Sequence, residues 1–360
     1  MRAMTAIELL QKMIATESFS RNESAVAEIV QRYLEHNGVF CNRHLNNVWC
    51  VNKYYDSSKP TLLLNSHIDT VKPNRDWTRN PFEPTIENGV LYGLGSNDAG
   101  GCVVSLVQTF INFYNRTDLT FNIVLAITAE EEISGENGIV AVAPALPHFD
   151  CAIVGEPTEM QLAIAEKGLM VLRCTAQGKS GHAARNEGVN AIDIAMRDIE
   201  WFHSYKFDRT SGYLGEIKMT VTIINAGTQH NVVPDRCDFT VDVRTTDVYT
   251  NDETLAIITD NIRSNVADVS RRLQPSRIER SHPLALAATT IGMIPYGSPT
   301  LSDQALLRVP SVKIGPGSSS RSHTADEFIH VHEVEQGITR YCELLECFDS
   351  ILKERNETLG

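Results

Sequence analysis

Apolar runs in this chain repeatedly end on a histidine or a carboxylate. Thr61–Leu64 is followed by Asn65-Ser66-His67-Ile68-Asp69, and Phe121–Ala126 runs into Thr128-Ala129-Glu130-Glu131-Glu132. Cys151–Val154 meets Gly155-Glu156-Pro157-Thr158, and Ser311–Ile314 leads through Gly315-Pro316-Gly317 toward His323. Short apolar runs between turn residues read as buried strands, and open α/β sheets bind ligands at the carboxyl ends of their strands. Four such ends can surround one point. Imidazole and carboxylate ligands without cysteine suit zinc, with cobalt or manganese as substitutes. A two-metal centre, its ions about 3.5 to 4 Å apart, needs a bridging carboxylate. Asp98, between Gly93-Leu94-Gly95-Ser96-Asn97 and Gly100-Gly101, is placed to bridge. Glu130, Glu131 and Glu132 in a row repel one another unless a cation is close. Alone they would read as a solvated acidic loop; the other strand ends argue for a metal. Asp69, two residues after His67, can orient that imidazole through its second nitrogen.

Two sets of elements must position these groups. Helical patterns at Thr5–Ala15, Glu23–Asn37 (stopped by Gly38) and Cys102–Phe113 alternate with predicted strands at Val48–Lys53, Thr61–Leu64, Phe121–Thr128, Cys151–Val154 and Ser311–Ile314. That is an α/β pattern with a buried sheet. The middle reads as strand Leu169–Gln177, helix Asn190–Ser204, strands Ile217–Asn225 and Arg236–Arg244, helix Asn251–Val266 and short strand Ser276–Arg280. This βαββαβ order is ferredoxin-like. The expectation is a mixed-sheet α/β catalytic domain over residues 1–167 and 282–360, carrying an insert at 168–281.

Composition narrows the class. A formal net charge of -13 argues against a nucleic-acid surface, which needs clustered Lys and Arg. No run approaches the roughly 18 apolar residues of a membrane span, and Met1–Met13 lacks the pattern of a secretion signal. Eight scattered cysteines without a Cys-x-x-Cys pair read as small buried hydrophobes in a reducing compartment, so a cytoplasmic location is expected. No Gly-x-Ser-x-Gly elbow supports a serine hydrolase. Gly178-Lys179-Ser180 is no phosphate loop, because Arg173 stands where the first glycine belongs.

The segments SHIDT (66–70), GLGSNDAGG (93–101), TAEEE (128–132), VGEPT (154–158), GKSGHAA (178–184), NVVPD (231–235) and SHTADE (322–327) resemble the M20 family of dinuclear zinc deacylases and exopeptidases. The resemblance spans nearly the whole chain in the family's order. AEKGL (165–169) and VGEPT resemble the branch containing acetylornithine deacetylase and succinyl-diaminopimelate desuccinylase. It implies that His67 and Glu156 hold one zinc, Glu132 and His323 the other, and Asp98 bridges both. Glu131 would be the general base and Asp69 the partner of His67. The insert would be a dimerisation and lid domain, with His182 and Asn231 reaching the neighbouring subunit's site to help hold the oxyanion. Arg244 would bind the substrate carboxylate, with a structural ion pair as its rival role, and backbone amides around Gly315, Pro316 and Gly317 would face the same group. One departure stands out: Ala99 and Gly100 follow Asp98 where the family usually has a bulky residue and Lys.

The implied reaction is hydrolysis of the amide of a small N-acyl amino acid, first N-acetylornithine in arginine biosynthesis. N-acetyl- or N-succinyl-citrulline, N-succinyl-ornithine, N-succinyl-diaminopimelate and dipeptides are the alternatives. A non-catalytic homologue would have lost a ligand or the base, and all six positions are present.

Overall fold

The computed structural model describes residues 4–185 and 187–359. The chain forms two compact units: Met1–Ile164 with Ile278–Tyr296 and Ser302–Gly360, and Ala165–Arg277 with Gly297–Leu301.

The first unit is built on a mixed sheet. Its strands lie in the order Cys41–His44, Asn47–Val51, Asn122–Thr128, Thr61–His67, Cys151–Val154, Ser311–Lys313, Leu162–Glu166, the last leading into the second unit. Thr61–His67 runs parallel to Asn122–Thr128 and to Cys151–Val154, which is parallel to Ser311–Lys313. Every residue of the first three of these is buried, as expected of central parallel strands covered on both faces. Thr61–His67 runs three residues beyond its apolar stretch, so His67 ends the strand itself. Helix Gly101–Phe113 packs on this strand and against helix Val331–Leu359, burying Val103, Leu106, Val107 and Phe110. Helix Ala6–Ile14 begins with a capping box: Thr5 and Glu8 satisfy each other's backbone amides.

A small second sheet pairs Thr85–Glu87 with Val90–Tyr92, and Val90–Tyr92 with Phe328–His330. Its register sets Phe328 opposite Tyr92. The residues beside that pair, Glu327 and Gly93, are thereby brought together across the chain, and Gly93 N donates to Glu327 O at 3.0 Å.

The second unit is a four-stranded antiparallel sheet in the order Lys218–Ala226, Arg236–Thr245, Gly168–Gln177, Asn265–Leu273, with helices Ala191–Ser204 and Asn251–Asn261. Strand Arg236–Thr245 alternates strictly, burying Cys237, Phe239, Val241 and Val243 in one cluster with Phe202 and Ile258. The ferredoxin-like order holds, but its last strand is not the expected Ser276–Arg280. The expected helix Asn251–Val266 stops at Asn261, where Asp198 accepts from the amides of Arg263 and Ser264 at 3.1 and 2.8 Å. Asn265–Leu273 is the fourth strand, and Ser276–Arg277 pairs with Glu166 and Ala165. The sequence misleads for a physical reason. Val266, Val269 and Leu273 are spaced three and four apart like a helix stripe, and register shifts at Val266/Asp268 and Ser270/Leu273 let a strand keep that spacing. Among the described residues no helix is long and apolar enough to cross a membrane.

Candidate metal centre

The six side chains of the cluster are delivered by five pieces of backbone, Glu131 and Glu132 sharing one turn. His67 ends its strand fully buried, and its Nδ1 faces the Asp69 carbonyl at 3.0 Å and the Asp69 carboxylate at 3.4 Å. Asp69 also accepts from Ser20 Oγ at 2.7 Å and from the amides of Glu131 and Glu132 at 2.9 and 3.1 Å. One buried carboxylate therefore aims the imidazole and fixes the turn carrying both glutamates.

That turn also resolves the triple glutamate. Glu130 takes a left-handed backbone conformation (φ 55°), and its side chain accepts from Asn137 Nδ2 at 2.8 Å. Glu130 thus braces the loop, while Glu131 and Glu132 face the cluster.

Asp98 sits in the loop between the small sheet and helix Gly101–Phe113, and the Asp98–Ala99 peptide is cis. Gly95 adopts φ 74°, a conformation a side chain would strain. A Cβ on Gly100 would overlap the Gly95 carbonyl and lie 2.6 Å from Leu10 Cδ1. The departure from the family pattern at this position therefore matches close packing by the N-terminal helix.

Around this frame, His67 Nε2 lies 3.3 Å from Asp98 Oδ1, 3.6 Å from Glu156 Oε1 and 3.8 Å from Glu131 Oε2. His323 Nε2 lies 2.9 Å from Glu132 Oε2 and 3.7 Å from Asp98 Oδ2. Two ligand sets converge, His67–Glu131–Glu156 and His67–Asp98–Glu132, each with its atoms within 4.8 Å of one another. The structure thus brings all six expected positions together, with Asp98 between the two histidines.

Electrostatics shows that the donor set fits a metal pair. Burial pushes Glu156 up to about 8, helped by Asp98 and opposed by His67, and its buried Oε1 lacks a hydrogen-bond partner. Burial raises Glu131 well above the usual carboxylate range, and Glu156, Asp303 and Glu132 add to it. Burial disfavours a charged His67, yet Asp69, Asp98, Glu131 and Glu156 together hold its pKa well above the ordinary value. His323, bonded to Glu132, is pushed up to about 9. Such a cluster retains protons that cations would displace.

Three partners lay outside the sequence reading. Glu327, 2% exposed, accepts from the amides of Gly95, Asn97 and Asp98 at 2.9, 2.8 and 2.9 Å, clamping the Asp98 loop. Asp303 is buried beneath the cluster, accepts from Thr128 Oγ1 at 2.8 Å, and is pushed by burial up to about 6. Ser20 completes the hold on Asp69. The SHTADE segment contained Glu327 but nothing local marked its role.

The remaining expected residues fall elsewhere. In the second unit, Ala183 N donates to Asn231 O at 3.0 Å and His182 bridges Val232, so His182 and Asn231 share one loop cluster. Arg244 makes a two-point ion pair with Asp242 at 2.9 and 3.1 Å, the rival role foreseen for it. Two amide expectations are corrected. Gly315 N is engaged by Thr158 Oγ1 at 3.0 Å, and Pro316 has no N–H to offer. Gly317, at φ 87°, remains a candidate.

The ends of the mixed sheet and the loops beside them bring two histidines and four carboxylates into one cluster able to hold metal ions. The chain belongs to Peptidase family M20/M25/M40, which it matches over residues 63–346. It is 26% identical over 282 residues to a succinyl-diaminopimelate desuccinylase 2 of Ruegeria sp. (strain TM1040), covering 73% of this chain and 70% of that protein. It is 25% identical over 375 residues to an acetylornithine deacetylase of Proteus mirabilis (strain HI4320), covering 96% and 97%. Among solved structures, a Staphylococcus aureus tripeptidase superposes with TM-score 0.76 at 19% identity, over 97% of this chain and 99% of that one. A dinuclear metal-binding M20 peptidase of Bacillus subtilis gives TM-score 0.71 at 16% identity, over 94% and 96%.

Proposed function

We propose that this chain hydrolyses the amide bond of an N-acyl amino acid at a pair of zinc ions, with N-acetylornithine, and hence arginine biosynthesis, as first candidate. The observation that carries this reading is the arrangement of Glu131. It is a buried carboxylate inside the cluster whose backbone is fixed by Asp69, and the family resemblance, which implies His67, Glu156, Glu132, His323 and the bridging Asp98 as ligands, gives it the role of base.

When bound, the metal pair polarises the acyl carbonyl and makes an attacking water acidic enough to ionise near neutral pH. Glu131 takes the water proton and later delivers it to the leaving amine; such a group contributes typically about 10²- to 10⁴-fold. Asp69 holds His67 in one orientation, so its Nε2 faces the cluster. Glu327 keeps Asp98 in register through three backbone amides.

The reading includes a homodimer through the second unit. Support comes from Lys218–Ala226, an edge strand with Ile223 54% and Ile224 51% exposed, a surface a second copy can cover. Arg236 and Arg244 bound a strand segment about 27 Å long at about 3.4 Å per residue. The register puts Arg236 beside Gln177, toward the His182–Asn231 loops, and Arg244 beside Leu169. One insert therefore cannot bring His182, Asn231 and Arg244 to a single point. The family resemblance implies instead that His182 and Asn231 of one subunit help to hold the oxyanion at its neighbour's site, and that Arg244 binds the substrate carboxylate. A cytoplasmic setting is supported by eight cysteines that are all free thiols.

The relatives bear both deacetylase and desuccinylase names, so the acyl group is left to experiment. Zinc-loaded protein is incubated with N-acetyl- and N-succinyl-ornithine, the corresponding citrullines, N-succinyl-diaminopimelate and a dipeptide, with and without chelator, and free amine is followed. Chelator-sensitive release from one N-acyl amino acid confirms the reading and names the acyl group. Release that ignores chelator, or release from the dipeptide alone, overturns it.

A further inference from the structure

At the outer edge of the main sheet, Cys41–His44 and Asn47–Val51 form a hairpin closed at Leu45 and Asn46, with Cys41 directly opposite Cys50. Antiparallel pairs alternate between hydrogen-bonded and non-hydrogen-bonded. Counting out from the closing pair His44–Asn47, Cys41 and Cys50 face each other at a non-hydrogen-bonded position. There opposed Cα atoms lie about 4.5 Å apart and side chains are closest, within the roughly 4.4 to 6.8 Å that a disulfide spans. Their sulfurs are 3.1 Å apart. Cys41–His44 is the terminal strand, paired on one side only, so the remaining closure moves no other strand. The two cysteines differ in access: Cys50 is buried, whereas Cys41 is part-exposed. Contact with Cys41, and then burial, push the Cys50 thiol well above its ordinary value.

We propose that Cys41 and Cys50 form a thiol–disulfide exchange site whose co-substrate is a low-molecular-weight disulfide of the glutathione type. The part-exposed Cys41, as thiolate, attacks one sulfur of the small disulfide, forming a mixed disulfide and releasing one small thiolate. Cys50, already against the Cys41 sulfur, loses its proton and attacks that sulfur, expelling the second small thiolate. Two cysteine thiols are oxidised by two electrons, the small disulfide is reduced to two thiols, and the two cysteine protons finish on those thiols. The link closes a hairpin with a second duty. Asn47 accepts from Ala129 N at 2.9 Å and donates to Asn137 O at 2.7 Å, holding both ends of the loop that carries Glu131 and Glu132. Oxidation therefore staples the support of that loop. Cytosolic disulfides are mostly of this transient kind.

The full chain is equilibrated in glutathione buffers from reducing to oxidising, acid-quenched, alkylated and analysed by intact mass and peptide mapping. The expected result is a monomer lighter by two hydrogens, linked Cys41 to Cys50, returning to two thiols in reducing buffer. Cys50→Ser accumulates a glutathione adduct on Cys41, and Cys41→Ser leaves position 50 unmodified. Oxidised wild type melts a few degrees higher than reduced, a difference lost in either variant. Full alkylation of both thiols in the most oxidising native buffer overturns the proposal, as does a link formed only after denaturation. The wild-type measurement decides even if a variant fails to fold.

Discussion

Glu327 carries the sharpest quantitative prediction, because its three partners are all backbone amides of the loop bearing Asp98. Glu327→Ala strands three buried donors. Each unpaired donor costs about 1 to 3 kcal/mol, and water entering the vacated space recovers part of that, leaving a net loss of about 3 kcal/mol. Burial and the Asp98 charge push Glu327 up to about 8, so at neutral pH without metal it is largely neutral, and a metal pair beside Asp98 would restore its charge and strengthen its hold on the three amides. The loss should therefore be larger with metal than without. Glu327→Gln separates the effects, since it resembles the neutral carboxyl and keeps one acceptor oxygen but cannot take up charge when metal binds. It should cost metal-free stability about 1 kcal/mol or less yet still loosen Asp98. Groups that orient metal ligands typically affect affinity about 10- to 100-fold. The assay is competition with a chromogenic chelator for zinc affinity, beside urea unfolding with and without zinc. If both variants bind zinc within about twofold of wild type while Glu327→Ala still loses stability, Glu327 merely fills the loop and the reasoning fails.

Other outcomes follow from the same geometry. Glu131→Gln should lower kcat by about 10²- to 10⁴-fold with metal content unchanged; loss of metal would make Glu131 a ligand instead. Chelation should lower the melting temperature and added zinc restore it in proportion to the logarithm of its concentration; a melt indifferent to zinc would contradict the fit of the donor set. Gly100→Ala should cost at least about 1 to 3 kcal/mol by overpacking against Leu10, read by urea unfolding; an unchanged midpoint would show that the helix yields. His282 caps helix Pro283–Thr290 by accepting from Leu284 N at 3.2 Å, and burial, then Arg355, hold its pKa below the ordinary value. Its contribution is therefore full above the unfolded pKa of about 6.5 and lost as pH falls through the lower folded value. His282→Asn keeps a cap that does not titrate, so wild type should lose more stability between pH 7.5 and 5.5 than this variant; equal losses would refute the assignment.

The parts legible in the sequence are those with a local signature. Fully buried strands announce themselves as apolar runs, and a histidine or glutamate just after such a run stands at a sheet end whatever its partners. The illegible parts are set by distant contacts. Glu327 acts on residues more than two hundred positions earlier, through a register between Phe328 and Tyr92 that no periodicity announces. Glu130 has the same composition as its neighbours and differs only in backbone conformation. Asn265–Leu273 hides as a helix because its shifts in register restore a spacing that strands ordinarily lack.

The order of the strands has a consequence for how the protein is made. Thr61–His67 lies between strands that come later in the chain, and Ser311–Lys313 docks beside Cys151–Val154 only after the whole second unit has been synthesised. Until then His323 is absent, while His67, Glu131, Glu132 and Glu156 follow strands that pair directly with one another. The counter-charge of His323 and the Glu327 clamp on Asp98 thus arrive with the last docking event, where closing so long a loop is already slow. A metal ion present at that moment would act as a folding ligand.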